Sequence, residues 1–298
     1  MMKAIPIDHL RPALSGLVSL LALFVLSGYA GCAVADGRLI ATGGVTAVEG
    51  AAGGGIVPWA LIAGYGTRDE IGVTAFHTDL SIDDFQLYSS GVAVGVFDRL
   101  ELSYARQAFS LGNTVPGQSI RQDIFGAKLK LAGDAVFDQD SVMPQIALGV
   151  QYKKNLDFKF APKLLGARSD SGTDIYLAAT KVHFAALAGR NVLWDVTLRA
   201  TKANQMGLLG FGGDLNNSYR LRFEGSAGVF LNDTLLLGAE YRAKPNNLGA
   251  FREDPFKDVF LAWVPNKHLA FTAAYALLGQ IANKRDQHGT YLSVQLSY

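Results

Sequence analysis

The feature that most limits what this chain can fold into is a period of two. Past residue 35 the sequence is built from segments of about ten residues in which apolar and polar side chains alternate, divided by turn residues. No apolar run there approaches the roughly 18 residues that a membrane-spanning helix needs. In the clearest segments, Val192, Trp194, Val196, Leu198 and Ala200 interleave with Asp195, Thr197, Arg199 and Thr201. Likewise Leu221, Phe223, Ala227 and Val229 oppose Arg220, Arg222, Glu224 and Ser226. Successive side chains of a strand point to opposite faces, so each segment reads as a strand with one apolar and one polar face. The 33 glycines among 298 residues suit the turns, bulges and close strand contacts of such a protein.

The N-terminus reads as an address. Lys3 and Arg11 precede an apolar stretch from Leu14 to Leu26 that is too short to span, and Ala33-Val34-Ala35 supplies small residues for cleavage. Residues 1–35 are therefore expected to be a signal peptide and 36–298 the mature domain. Ala30-Gly31-Cys32 resembles the end of a lipobox, which leaves lipidation of Cys32 as the competing reading, although Tyr29 stands where that motif wants a small aliphatic residue. A single cysteine excludes a disulfide scaffold and a cysteine-cluster zinc site. The 27 basic and 26 acidic residues become equal once Lys3, Arg11 and Asp8 leave with the leader, so net charge gives no case for nucleic acid.

Periodicity alone does not say which face is inside. A soluble sandwich would bury the apolar face, whereas a lipid-embedded barrel turns it outward. Loop lengths decide. About fourteen strands are expected, starting near residues 39, 56, 70, 86, 100, 120, 145, 173, 192, 219, 235, 258, 268 and 289. Tight connections such as Phe97 to Leu100 and Asn232 to Thr234 alternate with long ones, from Asn155 to Gly172, Ala203 to Ser218 and Pro245 to Phe256. That parity is what a barrel shows when one rim faces the periplasm and the other the exterior. The connection from Gly133 to Pro144 is longer than the parity suggests. The expected fold is all-β: one antiparallel up-and-down transmembrane barrel of about 12–14 strands, twelve if the weak pair around residues 39 to 66 is not in the wall. About fourteen strands of about eleven residues take roughly 154 residues, turns and loops take the rest, and no plug domain is expected. The last strand, closing on Tyr298, resembles the C-terminal strand by which outer-membrane barrels meet their assembly machinery, so outer-membrane lipid and that machinery are the expected partners.

Several stretches are similar to a proteobacterial family described only as domain of unknown function 3034. They include Ala41-Thr42-Gly43-Gly44-Val45, Glu49-Gly50-Ala51-Ala52-Gly53-Gly54-Gly55, Val57-Pro58-Trp59-Ala60, Gly64 to Gly72 and Gln205 to Asp214. The resemblance extends over nearly the whole mature chain. It implies an exported protein of the outer-membrane type and brings no site residues with it.

The glycine run Gly50 to Gly55 lacks the Gly-Lys-Ser/Thr ending of a phosphate loop and reads as a flexible or bulged strand junction. Glu224-Gly225-Ser226-Ala227-Gly228 has a glutamate where a nucleophile elbow needs glycine. The five histidines are scattered, without the spacing of a metal site. No cofactor and no catalytic or metal residues are assigned. The informative residues are the inward charges, which on this register are Glu101, Lys128, Lys130, Lys153, Asp195, Arg199, Arg220, Arg222, Glu224, Glu240 and Arg242. Charges inside a wall need water or each other. They are therefore candidate pore-lining residues of a passive channel for small solutes. Gly91, Ala93 and Gly95 leave extra room on one wall. The apolar centre of the 203–218 connection, with Leu208, Leu209 and Phe211, is expected to fold over the mouth. The alternatives are an outer-membrane hydrolase and a structural or partner-binding barrel.

Overall fold

The computed structural model describes residues 40–298. The signal peptide and the fate of Cys32 lie outside the described residues. Two short strands come first, β1 (Val45–Thr46) and β2 (Ala52–Gly53). Twelve long ones follow: β3 (Ile71–Ile82), β4 (Gln86–Val96), β5 (Leu100–Ser110), β6 (Ser119–Ala132), β7 (Gln145–Asn155), β8 (Ser171–Leu187), β9 (Arg190–Thr201), β10 (Arg220–Asn232), β11 (Leu235–Arg242), β12 (Phe256–Asn266), β13 (Leu269–Ile281) and β14 (Lys284–Ser297). Strands β3 to β14 pair antiparallel in chain order, and β14 returns to β3, from Gly289 opposite Ile82 to Ser297 opposite Thr74. The barrel is closed and has twelve strands. The expected starts at 86, 100, 145 and 235 coincide with Gln86, Leu100, Gln145 and Leu235. Those near 39 and 56 belong to no wall strand.

The alternation sets the faces as expected for an inverted interior. On β9, Asp195, Thr197 and Arg199 are buried while Val196 and Leu198 are exposed. Leu148, Leu221, Val259 and Leu292 extend the exposed apolar surface around the barrel. Aromatic side chains flank it: Trp263 stacks on Phe271 near the rim that carries the chain's end, and Phe223 meets Tyr241 near the opposite rim. An apolar band between aromatic girdles is the outer surface of a barrel in lipid.

Loop parity holds with three exceptions. At the rim of short turns, Phe97 and Asp98 sit at φ 57° and 48°, the paired left-handed conformation of a tight hairpin. The long connections 111–118, 156–170, 202–219 and 243–255 crowd the opposite rim, where, however, 83–85 and 282–283 are also tight. On the turn rim, 133–144 is long because it wraps the buried ammonium of Lys181. Lys181 Nζ donates to the carbonyls of Asp134 (3.1 Å), Asp138 (2.6 Å) and Met143 (3.3 Å).

The main correction to the sequence reading concerns residues 40–66. The sequence suggested no plug, yet every residue from Thr42 to Gly66 is buried, and the segment lies inside the barrel as a folded plug. β1 and β2 form a small hairpin in which Val45 faces Gly53, turned by Gly50 at φ +93°. The physical reason is width. About eight strands enclose just enough space for side chains, so twelve leave a bore that must hold water or more protein. The small inward residues on β4 are part of the fit: a Cβ on Gly95 would lie 2.1 Å from the Ala63 carbonyl oxygen. Ala93 packs on Ala52 and Ala63.

This arrangement separates two neighbouring substitutions. Val196→Arg places a charge on the apolar band and should impair assembly by about 2–4 kcal/mol if it lies near the membrane midplane. Thr197 Oγ1 donates to Pro58 O of the plug at 3.0 Å, so Thr197→Arg should leave the wall intact and displace the plug. Heat-modifiable gel mobility reads the first effect, and limited proteolysis between residues 42 and 66 reads the second.

Candidate functional site

Inward polar residues on β4 to β11 hold the plug by its backbone or its side chains. Glu101 on β5 accepts the amides of Ala52 (3.2 Å) and Ala63 (2.9 Å). Its β6 neighbour Lys128 bonds Glu101 at 3.1 Å and donates to the carbonyls of Ala52 (2.9 Å) and Leu61 (2.7 Å). These two residues are paired across the sheet, so the ion pair is built by register. Thr180 on β8 receives the Ala60 amide at 2.7 Å and donates to Asp195 at 2.6 Å, while Gln145 donates to Ala60 O at 2.7 Å. Glu240 on β11 accepts from the Ile56 amide and from Ser226 Oγ, both at 2.7 Å, and Trp59 Nε1 reaches the same Ser226 Oγ at 2.8 Å. Gly54 allows this close approach: a Cβ would fall 2.0 Å from Glu240 Oε1, so the carboxylate would have to shift from its bonds to Ile56 and Ser226.

At the centre is Glu49, the one charged residue between Thr42 and Gly66. Its carboxylate contacts Lys153 Nζ, bonds Arg242 Nη1 at 2.7 Å and lies 3.7 Å from Arg199. Lys153 also bonds Asp174 at 2.7 Å, and Arg199 grips Glu224 at 2.5 Å and Gln151 at 2.7 Å above the Tyr176 ring. Three cations thus meet three carboxylates, all nearly inaccessible to solvent. Burial pushes the Glu49 carboxyl up, and Arg242, Lys153 and Arg199 together pull it further down, so it stays ionised. Buried ions are tolerated only when paired and hydrogen-bonded in this manner.

The rim of long connections is closed by the 203–218 connection. A single 3-10 turn, Gln205–Gly207, carries Met206, Leu208 and Leu209 into the mouth, and Phe211 is fully buried against Gly172, where no Cβ would fit. This lid shares the wall anchor Lys153 with the plug and is joined to it a second time through Gln122 and Gln107. Lys153 Nζ donates to Met206 O at 3.3 Å, Asn155 Nδ2 donates to Leu208 O at 2.7 Å, and Gln122 Nε2 donates to both Met206 O (3.3 Å) and Gln107 Oε1 (2.7 Å). Gln107 in turn donates to Val48 O at 2.8 Å. From the 243–255 loop, Glu253 accepts the Gln205 amide at 2.9 Å and Lys244 donates to Gln205 Oε1 at 2.8 Å. Burial over the Phe256 ring lowers the Lys244 ammonium to about 8 despite the opposing pull of Glu253, and burial raises the Glu253 carboxyl.

Of the sequence-derived candidates, Glu101, Lys128, Lys153, Asp195, Arg199, Glu224, Glu240 and Arg242 are buried inside and gathered on the plug. Three are not. Lys130 pairs with Asp98 at 2.8 Å on the turn rim, Arg220 is exposed at the opposite rim, and Arg222 is half-buried with Nε lacking a partner. Arg199, Arg220, Arg222 and Arg242 therefore do not form a single cationic patch. Sequence reasoning missed Glu49, Asp174 and Asp258. The first sits outside any alternating segment, while the other two follow inward parity on β8 and β12 and were legible.

Other chemistry is thinly represented. Among the described residues no three His, Cys, Asp or Glu side chains gather in a metal-binding arrangement. His77 Nδ1 lies 2.7 Å from Ser90 Oγ, but the ring has no hydrogen-bonded carboxylate among the described residues; His288 pairs with Asp83 and no serine.

Comparison with solved structures finds distant likenesses. A KdgM porin aligns over 76% of this chain and 99% of its own with a TM-score of 0.46 and 11% identity. Omp33 of Acinetobacter baumannii aligns over 76% and 97% with a TM-score of 0.44 and 8% identity. Outer membrane phospholipase A of Escherichia coli aligns over 79% and 94% with a TM-score of 0.37 and 11% identity. Likenesses this remote carry no function across. No curated protein sequence matches. Residues 42–295, which run from the plug into the last wall strand, match the family described as "Protein of unknown function (DUF3034)", and the chain belongs to that family.

Proposed function

We propose that this protein is a plug-gated channel of the outer membrane, exported by an N-terminal signal peptide, with residues 40–66 closing its bore. The apolar band with its aromatic girdles supports the membrane seat. The observation that carries the channel reading is the chemistry of the inner wall. A barrel that is always closed gains nothing from charges, since well-packed apolar groups of similar volume fill a core equally well or better. A wall that is alternately covered by a plug and filled with water needs side chains that are satisfied in both states. Glu101, Lys128, Lys153, Arg199, Glu224 and Arg242 meet that requirement, because each exchanges plug and partner contacts for water. Solutes passing the open bore are small, and no step of bond chemistry is involved.

A reversible lock tests this reading. A Cβ at Gly50 stands 3.1 Å from Ala105 Cβ, a few tenths of an ångström inside the roughly 3.5–4.5 Å of a disulfide. Gly50 stands at φ +93°, where a side chain is strained, so Gly50→Cys alone is the control: in a Cys32→Ser background it should conduct alike in both redox states, whereas Gly50→Cys with Ala105→Cys should be silent in planar bilayers when oxidised and show channel openings when reduced. Identical currents of the double variant in the two redox states would sink the gating role of the plug.

A further inference from the structure

Most carboxylates inside the barrel have a cation. Lys128 answers Glu101, and Lys153, Arg199 and Arg242 answer Glu49, Asp174 and Glu224. Glu240 of β11 and Asp258 of β12 have no ion pair among the described residues, although register sets them directly opposite each other and both are buried. Their carboxyls lie within hydrogen-bond reach of one another. An ionised carboxylate offers only acceptors, and two like charges at this range cannot both persist away from water, so the contact needs a proton.

The surroundings supply no other remedy. Gly55 of the plug covers the pair: a Cβ there would lie 3.4 Å from Glu240 Oε2 and 3.6 Å from Asp258 Oδ2. Both Glu240 oxygens accept bonds, one from Ser226 Oγ and the other from the Ile56 amide, whereas Asp258 Oδ1 has no partner. Tyr291 of β14 reaches the pair across Ala274 and Ala276 of β13, and its buried hydroxyl also lacks a partner. Beside it, Thr78 Oγ1 donates to Ser293 Oγ at 2.9 Å. The other charged or titratable groups that face the pair are Arg242, held by Glu49 and Glu224, then Glu224 itself on β10, and Asp195 on β9, which accepts from Thr180 and Thr197. Plug residues 54–59 carry no charge.

We infer that Glu240 and Asp258 share one proton while the plug is docked, and that this proton makes closure of the barrel depend on pH. The same Glu240 carboxyl accepts the Ile56 amide, so the proton and the plug's seat are joined. With the plug lifted, water solvates both carboxyls and they ionise as ordinary side chains do, near about pH 4. Above that pH the docked state binds one proton more than the lifted state. Docking therefore weakens as pH rises, by at most about a factor of ten per unit, until the docked pair ionises too. The inference rests on the channel reading and names what shifts its gate.

Two readouts on the purified full-length chain test it without a current. Infrared spectroscopy should show a protonated carboxyl band at neutral pH that weakens by one group in Asp258→Asn, whose amide can donate to Glu240 at every pH. Acrylamide quenching of Trp59, with Trp194→Phe and Trp263→Phe to silence the other two indoles, follows the docking of the plug. Quenching should increase several-fold from acidic to alkaline pH, and Asp258→Asn should lose most of that rise. The lid's Lys244, at about 8, titrates in the same span, so the difference between the two chains is the measure. An unchanged infrared band in Asp258→Asn, or the same pH rise in both chains, would overturn the shared proton. A missing band together with release of the plug by a chelator would put a metal ion in its place and overturn it too. Currents decide the channel reading separately: plug release that follows pH without any change in conductance removes the channel and leaves the pair, whereas conduction with Trp59 quenching indifferent to pH removes the pair alone.

Discussion

Deletion of residues 42–64 should convert the protein from a closed barrel into a conducting one. The twelve wall strands close on each other through β14 and β3 and need no hydrogen bond from the plug. The polar groups that the deletion uncovers, among them Glu101, Lys128, Arg199 and Arg242, are ones that water satisfies. The shortened chain should therefore keep its heat-modifiable gel mobility and give conductance steps well above the baseline of the intact protein. A folded deletion variant that stays silent would mean that the lid alone seals the bore, or that no continuous bore exists. Removal of the lid in the same chain separates those outcomes. Deleting Gly207–Gly212 should raise conductance further, since Leu208 and Phe211 occupy the mouth.

Glu49→Gln should open the barrel without any change to the wall. The substitution leaves Lys153, Arg199 and Arg242 facing only Asp174 and Glu224, and removing one partner from a buried ion network costs about 3–5 kcal/mol. That cost falls on the docked state of the plug alone, because in the undocked state both Glu49 and the cations are hydrated. At about 1.4 kcal/mol per factor of ten, open probability should rise by about two orders of magnitude or more. Lys153→Met in the Glu49→Gln chain restores the balance, with two cations against two carboxylates, and should recover part of the closure. The coupling between the two sites, obtained from a double-mutant cycle of open probabilities, is the quantity to measure. Independent, additive effects would place Glu49 outside the latch.

The wall was largely readable from the sequence because one rule governs it. Lipid outside and polar contents inside impose alternation on every strand, and each of β3 to β14 shows enough of it to be placed. The plug was not readable for the corresponding reason. Residues 40–66 are surrounded by wall on all sides, so no face of them is selected for contrast, and their backbone polar groups are satisfied by side chains distant in sequence, such as Thr180 for the Ala60 amide. The segment's glycines suggested a loose junction, whereas they mark close approaches: Gly54 to Glu240, and from the wall side Gly95 to Ala63. The hint that was present lay in the wall. Inward Gly91, Ala93 and Gly95 signalled room, and a twelve-stranded bore with that much room holds either water or chain. The lid was legible because three large apolar residues in a loop must bury themselves somewhere, though the anchor it shares with the plug was not.

Hydrogen exchange resolved to single amides tests the seat of the plug most directly. The amides of Ala52, Ile56, Ala60 and Ala63 bond to Glu101, Glu240, Thr180 and again Glu101, all side chains of the wall. In the intact protein they should be protected nearly as strongly as the ladder amides of β3 to β14, and Glu49→Gln should release them together while the ladder stays protected. Exchange of these four amides at the rate of an open chain, beside a fully protected wall, would contradict the plugged barrel and with it the gate.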